Sequence, residues 1–252
     1  MNFLRREEID HACDQLLRSY DRVVERLVGP RYPYPIRMRD WELYRILKAL
    51  EGAEEDARIL EIGSFNTYLA AYLAQRHRRV TASDVLGRRW RKSWLRQLGL
   101  YPPKPVEATY ASWQRVMRRS GAAVRNLDAS RLPCADGVFN YVVALSVIEH
   151  VIPVERALAE MYRVLAPGGR MLVTTDCTPE PVPYAASVRY FSPSELERLF
   201  APYPVTSPRN LPDFSPANWC YDRNRPLVNV FVEITKPAAD AVALREPVVQ
   251  LA

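Results

Sequence analysis

Apolar residues at Ile9, Ala12, Leu16, Tyr20, Val23 and Leu27 return every three or four positions, which lays one buried stripe along a helix predicted over residues 5–28. Gly29 and Pro30 end that helix. From Pro30 to Pro35 the chain is predicted to be extended, because each proline pushes the residue before it out of the α region. A second helix follows, with Asp40 as its N-cap and Trp41, Tyr44, Leu47 and Leu50 along one face.

At Arg58 the texture changes to short apolar runs separated by helical stretches, the pattern of βαβ units around a parallel sheet. Strands are predicted at 58–62, 79–83, 122–127, 141–145, 170–175, 203–207 and 227–234. Helices are predicted at 67–76, 109–119, 153–165 and 194–200, joined by right-handed crossovers. The last strand arrives after a proline-rich loop instead of a helix, so it is expected to enter antiparallel at an edge. The fold class is therefore α/β: a doubly wound, seven-stranded, mostly parallel sheet with an antiparallel edge strand and an N-terminal helical cap. Residues 1–52 make the cap, 53–236 the α/β domain with an insertion at 85–106, and 237–252 a tail.

That organisation suits 252 residues, 48% hydrophobic and 25% charged, which suffice to bury one full core. Cys13, Cys134, Cys177 and Cys220 form no C-x-x-C pair, which argues against a zinc ribbon or a disulfide framework and fits a reducing compartment. The first ten residues lack an apolar signal core and no run of roughly 18 apolar residues occurs. A cytoplasmic protein without a transmembrane segment is expected. The formal charge of +6 is compatible with an anionic partner and equally with solubility alone.

In a doubly wound sheet, ligands bind beyond the carboxyl ends of the strands, where the strand order reverses, so the residues just after each strand carry the chemistry. After the first strand come Gly63, Ser64, Phe65, Asn66 and Thr67. Asp84 follows the second, at about the 20-residue offset at which a carboxylate meets a ribose hydroxyl in nucleotide-binding units. Asp128 follows the third strand, and Ser146, Glu149 and His150 follow the fourth. Three acidic groups thus fall on one sheet edge.

The series Ile59-Leu60-Glu61-Ile62-Gly63, then Asp84, then Asp128 to Pro133 with Gly137-Val138-Phe139-Asn140-Tyr141, then Arg163-Val164-Leu165-Ala166-Pro167-Gly168-Gly169-Arg170 resembles the class I methyltransferases that use S-adenosylmethionine (SAM), in particular their small-molecule branch. The resemblance covers residues 58–236 and implies the Rossmann-like methyltransferase fold, SAM as cofactor and methyl transfer to a small-molecule or lipid- or sugar-linked acceptor. It implies that Glu61 and Gly63 open the cofactor loop, where a glycine lets the backbone approach the methionine portion of SAM. Asp84 would accept hydrogen bonds from the ribose, Asp128 would meet the adenine amino group with Ala129 beside the ring, and Ser146 would line the cavity between cofactor and substrate.

One departure bears on that reading. Where the family has glycines two and four residues after the first, this chain has Phe65 and Thr67, with Asn66 between. Either the cofactor sits farther from the backbone, with Asn66 or Thr67 supplying a polar contact, or the fold serves as a non-catalytic scaffold. For a hydroxyl acceptor a base must take the proton, and His150 and Glu149 are the candidates, although in the family an Ile-Glu-His-Val segment also serves as a plain cap. A Glu-x-x-Glu-His metal cluster of related O-methyltransferases lacks its first acid here, where Ser146 stands, so no metal is expected.

Residues 85–106 hold six Lys or Arg and no Asp or Glu, interleaved with Trp90, Trp94 and Tyr101. Read as function, a basic helix at 88–98 is a lid for an anion or a peripheral contact with acidic lipid headgroups; read as structure, it is a packed insertion. The N-terminal pair of helices, with Tyr32 and Tyr34, is read either as a cover across the pocket mouth, where similar enzymes carry such a pair, or as a structural cap alone. Nucleic acid ranks last among the partners, since no Asn-Pro-Pro-Tyr-type motif accompanies the charge.

Overall fold

The computed structural model describes residues 1–5, 8, 11–28, 40–65, 67–85, 106–185, 188–218 and 226–238. Its sheet strands are β1 (Asn2–Phe3), β2 (Arg58–Ile62), β3 (Arg79–Asp84), β4 (Ala123–Asn126), β5 (Phe139–Leu145), β6 (Leu165–Cys177) and β9 (Val228–Thr235). A separate hairpin pairs β7 (Val182–Ala185) with β8 (Val188–Tyr190). The helices are α1 (His11–Val28), α2 (Asp40–Ala49), α3 (Leu69–Leu73), α4 (Val106–Ser120), α5 (Val154–Arg163) and α6 (Pro193–Phe200).

Alternation within the apolar runs assigns each side chain to a face. Ile59, Val80, Ala82, Val143, Leu145, Leu172 and Phe231 pack with α1, α2, α3 and α4. Their chain neighbours Leu60, Val142, Ala144, Met171, Val173, Val230 and Val232 pack with α5 and α6 on the other face. Because both faces are covered, the strands read as nearly continuous apolar runs, as buried parallel sheets do.

The sheet order is β1-β9-β6-β5-β2-β3-β4, with β2 to β6 mutually parallel and β9 antiparallel to β6. The chain builds outward from β2 through β3 and β4, then returns to the far side of β2 as β5. The loops after β2 and β5 therefore diverge at the carboxyl edge, which is the switch point where such folds hold ligands.

The α/β class and the seven-stranded, mostly parallel sheet expected from the sequence are the ones observed, and β9 runs antiparallel. Two details differ. Residues 203–207 make no strand and contribute a single bridge, Val205 to Ile234, since Pro202, Pro204 and Pro208 supply no ladder donors. The seventh strand is instead β1, which pairs Asn2 with Phe231 and Phe3 with Val230, outside β9. Asp40 is the first residue of α2, where its charge faces the positive end of the helix, and not a flanking cap. The helix expected over 67–76 is shorter, Leu69–Leu73, entered through Tyr68 in the left-handed region.

The helix expected at 194–200 is α6, closed by a capping box in which Ser192 and Glu195 satisfy each other's backbone amides, with Pro193 at its start. The expected basic helix at 88–98, Tyr32, Tyr34 and the tail from 239 lie outside the described residues. Among the described residues, Cys134 and Cys177 are free thiols, and no helix is long and apolar enough to cross a membrane.

Candidate active site

β2 ends in a buried acid and a glycine, and the next residues fold back on that acid. Glu61 is fully buried; its Oε1 accepts from the Thr67 hydroxyl at 2.5 Å and its Oε2 from the Ala70 amide at 2.8 Å. Burial pushes the carboxyl up to about 7, the nearby Asp84 charge adds to the rise, and the two hydrogen bonds oppose it. Ser64 donates through both its amide and its hydroxyl to the Ser83 carbonyl, at 2.9 and 3.1 Å, stitching the loop to β3. From α1, the Tyr20 hydroxyl donates to the Thr67 carbonyl. The loop is thus held from beneath by Glu61 and from above by Tyr20.

Gly63 has φ +66°, and a Cβ added there would lie 2.5 Å from Val147 Cγ2, far inside carbon–carbon contact. The glycine is required by the left-handed backbone and by the loop after β5 pressing on it. Phe65, in place of the second glycine, turns its ring edge-on to the buried Trp113 of α4, with centroids 5.7 Å apart at 78°. Its bulk is taken up by aromatic packing.

Asp84 ends β3, beside Asn126 at the end of β4 in the parallel register. Its Oδ2 accepts from the Phe65 amide at 3.1 Å, and its carbonyl accepts from the Leu127 amide at 3.2 Å. Beyond β4, Asp128 Oδ1 accepts from the amide and hydroxyl of Ser130, at 2.9 and 2.7 Å, in an Asx turn beside buried Ala129. Both acids are half-buried at the tips of adjacent strands.

After β5 the backbone turns sharply at Ser146, φ +48°. Its amide donates to Thr174 Oγ1 at 3.0 Å, and its hydroxyl donates to Oε1 of Glu42, a fully buried carboxylate of α2, at 2.5 Å. Glu149 and His150 lie in the 3₁₀ turn Ile148–His150. Glu149 is buried and accepts from the Thr175 hydroxyl at 2.9 Å, while His150 is half-buried. Strand alternation sends Thr175 to the face opposite Thr174, so Glu149 and Glu42 approach the edge from different sides of the sheet.

The carboxyl edge therefore assembles Glu61, Gly63, Phe65, Asp84, Asp128, Ala129, Ser146, Glu149 and His150; Asn66 lies outside the described residues. Among the described residues, no group of three or more His, Cys, Asp or Glu is placed to hold a metal. Sequence reading missed Glu42 and the partnership of Tyr20 with Thr67. Glu42 stood on what read as the polar side of α2, and Tyr20 looked like one more stripe residue.

The arrangement could hold a nucleoside: two half-buried carboxylates that accept hydrogen bonds on neighbouring tips, a left-handed glycine between them and the switch point, and a phenyl ring drawn toward α4. Residues 60–173 match a family model described as a methyltransferase domain.

Among curated relatives, the demethylmenaquinone methyltransferase of Thermus thermophilus is 31% identical over 154 residues, 58% of this chain and 61% of that protein. Matches to two further proteins of that description, from Beutenbergia cavernae and Mycolicibacterium paratuberculosis, span 34% and 31% of their length. Among solved structures, the [4+2]-cyclase SpnF shares the fold over 94% of this chain and 98% of its own, at a TM-score of 0.59 and 13% identity. The Burkholderia thailandensis 1,6-didemethyltoxoflavin-N1-methyltransferase, solved with S-adenosylhomocysteine, does so over 94% and 92%, at 0.53 and 19%. At those identities the likeness is one of fold.

Proposed function

We propose that this chain is a SAM-dependent methyltransferase acting on a small-molecule acceptor. The observation that carries the reading is the pair Asp84 and Asp128 on adjacent strand tips beside the Gly63 loop, within a methyltransferase domain. In this reading Asp84 takes the ribose hydroxyls, Asp128 the adenine amino group with Ala129 against the ring, and the backbone at Gly63 the methionine portion. Glu61, tied to Thr67 and Ala70, shapes the loop that opens the cofactor site. Phe65 contributes its amide to Asp84 and its ring to Trp113.

Bound SAM supplies an electrophilic methyl on a sulfonium, so the protein's task is to align the acceptor and exclude water. Ser146 borders the acceptor. His150, half-exposed at the same edge, is the base that takes an acceptor proton, and Glu149, held by Thr175, fixes the turn on which His150 sits. The curated relatives make a quinone the first acceptor to try. The site of action is proposed to be the cytoplasm.

Titration calorimetry with SAM and S-adenosylhomocysteine tests the reading: saturable binding is expected, and no heat at millimolar ligand with folded protein rejects it. The alternative, a scaffold or a non-methylating catalyst, draws on Phe65 and Thr67 in the glycine positions and on the cyclase that shares the fold. Methyl transfer from radiolabelled SAM to a demethylated quinone or a cell extract eliminates it.

A further inference from the structure

Two N-terminal side chains touch the loops that frame the carboxyl edge, and one of them does so through a strained residue. Ser146 holds φ +48°, a left-handed conformation that a residue with a Cβ adopts only under strain. The surroundings over-determine it: the Ser146 amide is fixed on Thr174 at 3.0 Å and its hydroxyl on Glu42 at 2.5 Å. The next residue, Val147, presses on Gly63, so closely that a methyl there would meet its Cγ2 at 2.5 Å. A contiguous path of contacts therefore runs from α2 through Ser146 and Val147 to the first glycine of the loop after β2.

We infer that Glu42 is a positioning residue for the cofactor loop: by holding Ser146 in the left-handed conformation it sets Val147 against Gly63 and so fixes the shape that loop offers to a ligand. The inference rests on reading residues 61–67 as the cofactor loop. Glu42 lies outside the matched methyltransferase residues 60–173, on a helix whose Leu43, Ile46 and Leu47 pack in the core. A buried carboxylate is costly unless it is hydrogen-bonded, and the Glu42 carboxylate accepts from the Ser146 hydroxyl.

The distinguishing experiment exploits glycine, which adopts positive φ without a side-chain hydrogen bond to hold it. Glu42→Ala should weaken S-adenosylhomocysteine binding about tenfold by calorimetry, within the range of site-to-site couplings. Hydrogen exchange at the amides of residues 61–70 should rise in parallel. In the double variant Glu42→Ala/Ser146→Gly both properties should return to near wild type, although the buried contact is still missing. Circular dichroism confirms folding in each case.

Unchanged affinity and exchange in Glu42→Ala overturn the inference, as does a loss that the added glycine fails to restore, which would make Glu42 a simple anchor of α2. If the wild-type protein binds no S-adenosylhomocysteine, the proposed function fails, while the exchange data still decide whether Glu42 orders the loop.

Discussion

Gly63 is where two loops collide, and substituting it tests that collision directly. Gly63→Ala places a methyl 2.5 Å from Val147 Cγ2 on a φ of +66°, so the variant should lose about 1–3 kcal/mol in denaturant unfolding. Val147→Ala in the same chain should recover part of that loss, since it removes the opposing methyls. Glu61 tests electrostatics. Burial lifts its pKa from 4.5 to about 7, so the folded protein holds this proton more tightly than the unfolded chain. The stability so gained is complete below about 4.5 and lost as pH rises through about 7. Glu61→Gln removes this titration, so its unfolding free energy should fall less between those values than wild type; parallel curves would show that burial does not govern this carboxyl. Asp84→Ala should weaken SAM binding about tenfold or more with an unchanged circular dichroism spectrum, the loss expected for a charge-assisted hydrogen bond. Unaltered affinity would mean the nucleoside lies elsewhere.

At the level of elements, the N-terminal helices share a buried cluster with one face of the sheet. Tyr20, Val24, Trp41, Leu43 and Ile46 are buried in one cluster with sheet residues Ile59, Val143 and Leu172. Trp41 also donates from Nε1 to Glu8 at 2.8 Å. Trp41→Ala should therefore destabilise the whole protein by about 3–5 kcal/mol in a single cooperative transition. A separate early transition confined to the N-terminal helices would show that they fold as a detached cap. The sequence marked these helices by their 3.6-residue period and the strands by their alternation, and β2 was legible to the residue. It did not mark β1, because two residues carry no period, nor the hairpin of β7 and β8. It overread 203–207, where apolar content suggested a strand and proline removed the donors.

Over the whole molecule, the charge is unevenly matched. Arg163, Arg170 and Arg189 are engaged by carboxylates, whereas exposed Arg115, Arg118 and Arg119 line an open cavity of about 410 Å³ on α4 and make no ion pair among the described residues. Replacing these three by Gln should leave the unfolding free energy within about 0.5 kcal/mol and lower the salt needed to elute the protein from a cation exchanger. A large fall in stability would reveal partners on that face. The sequence by itself determined the class of fold, the order of β2 to β6 and β9, and the position of Asp84 and Asp128 at strand ends, because periodicity and the offset from a strand end are local properties of a chain. Only the tertiary structure decided what those residues meet: Glu42 on Ser146 across 104 positions, Tyr20 on Thr67, Val147 on Gly63, Phe65 on Trp113. Such pairings depend on how the sheet order brings distant loops to one edge, and no repeat along the chain encodes that distance.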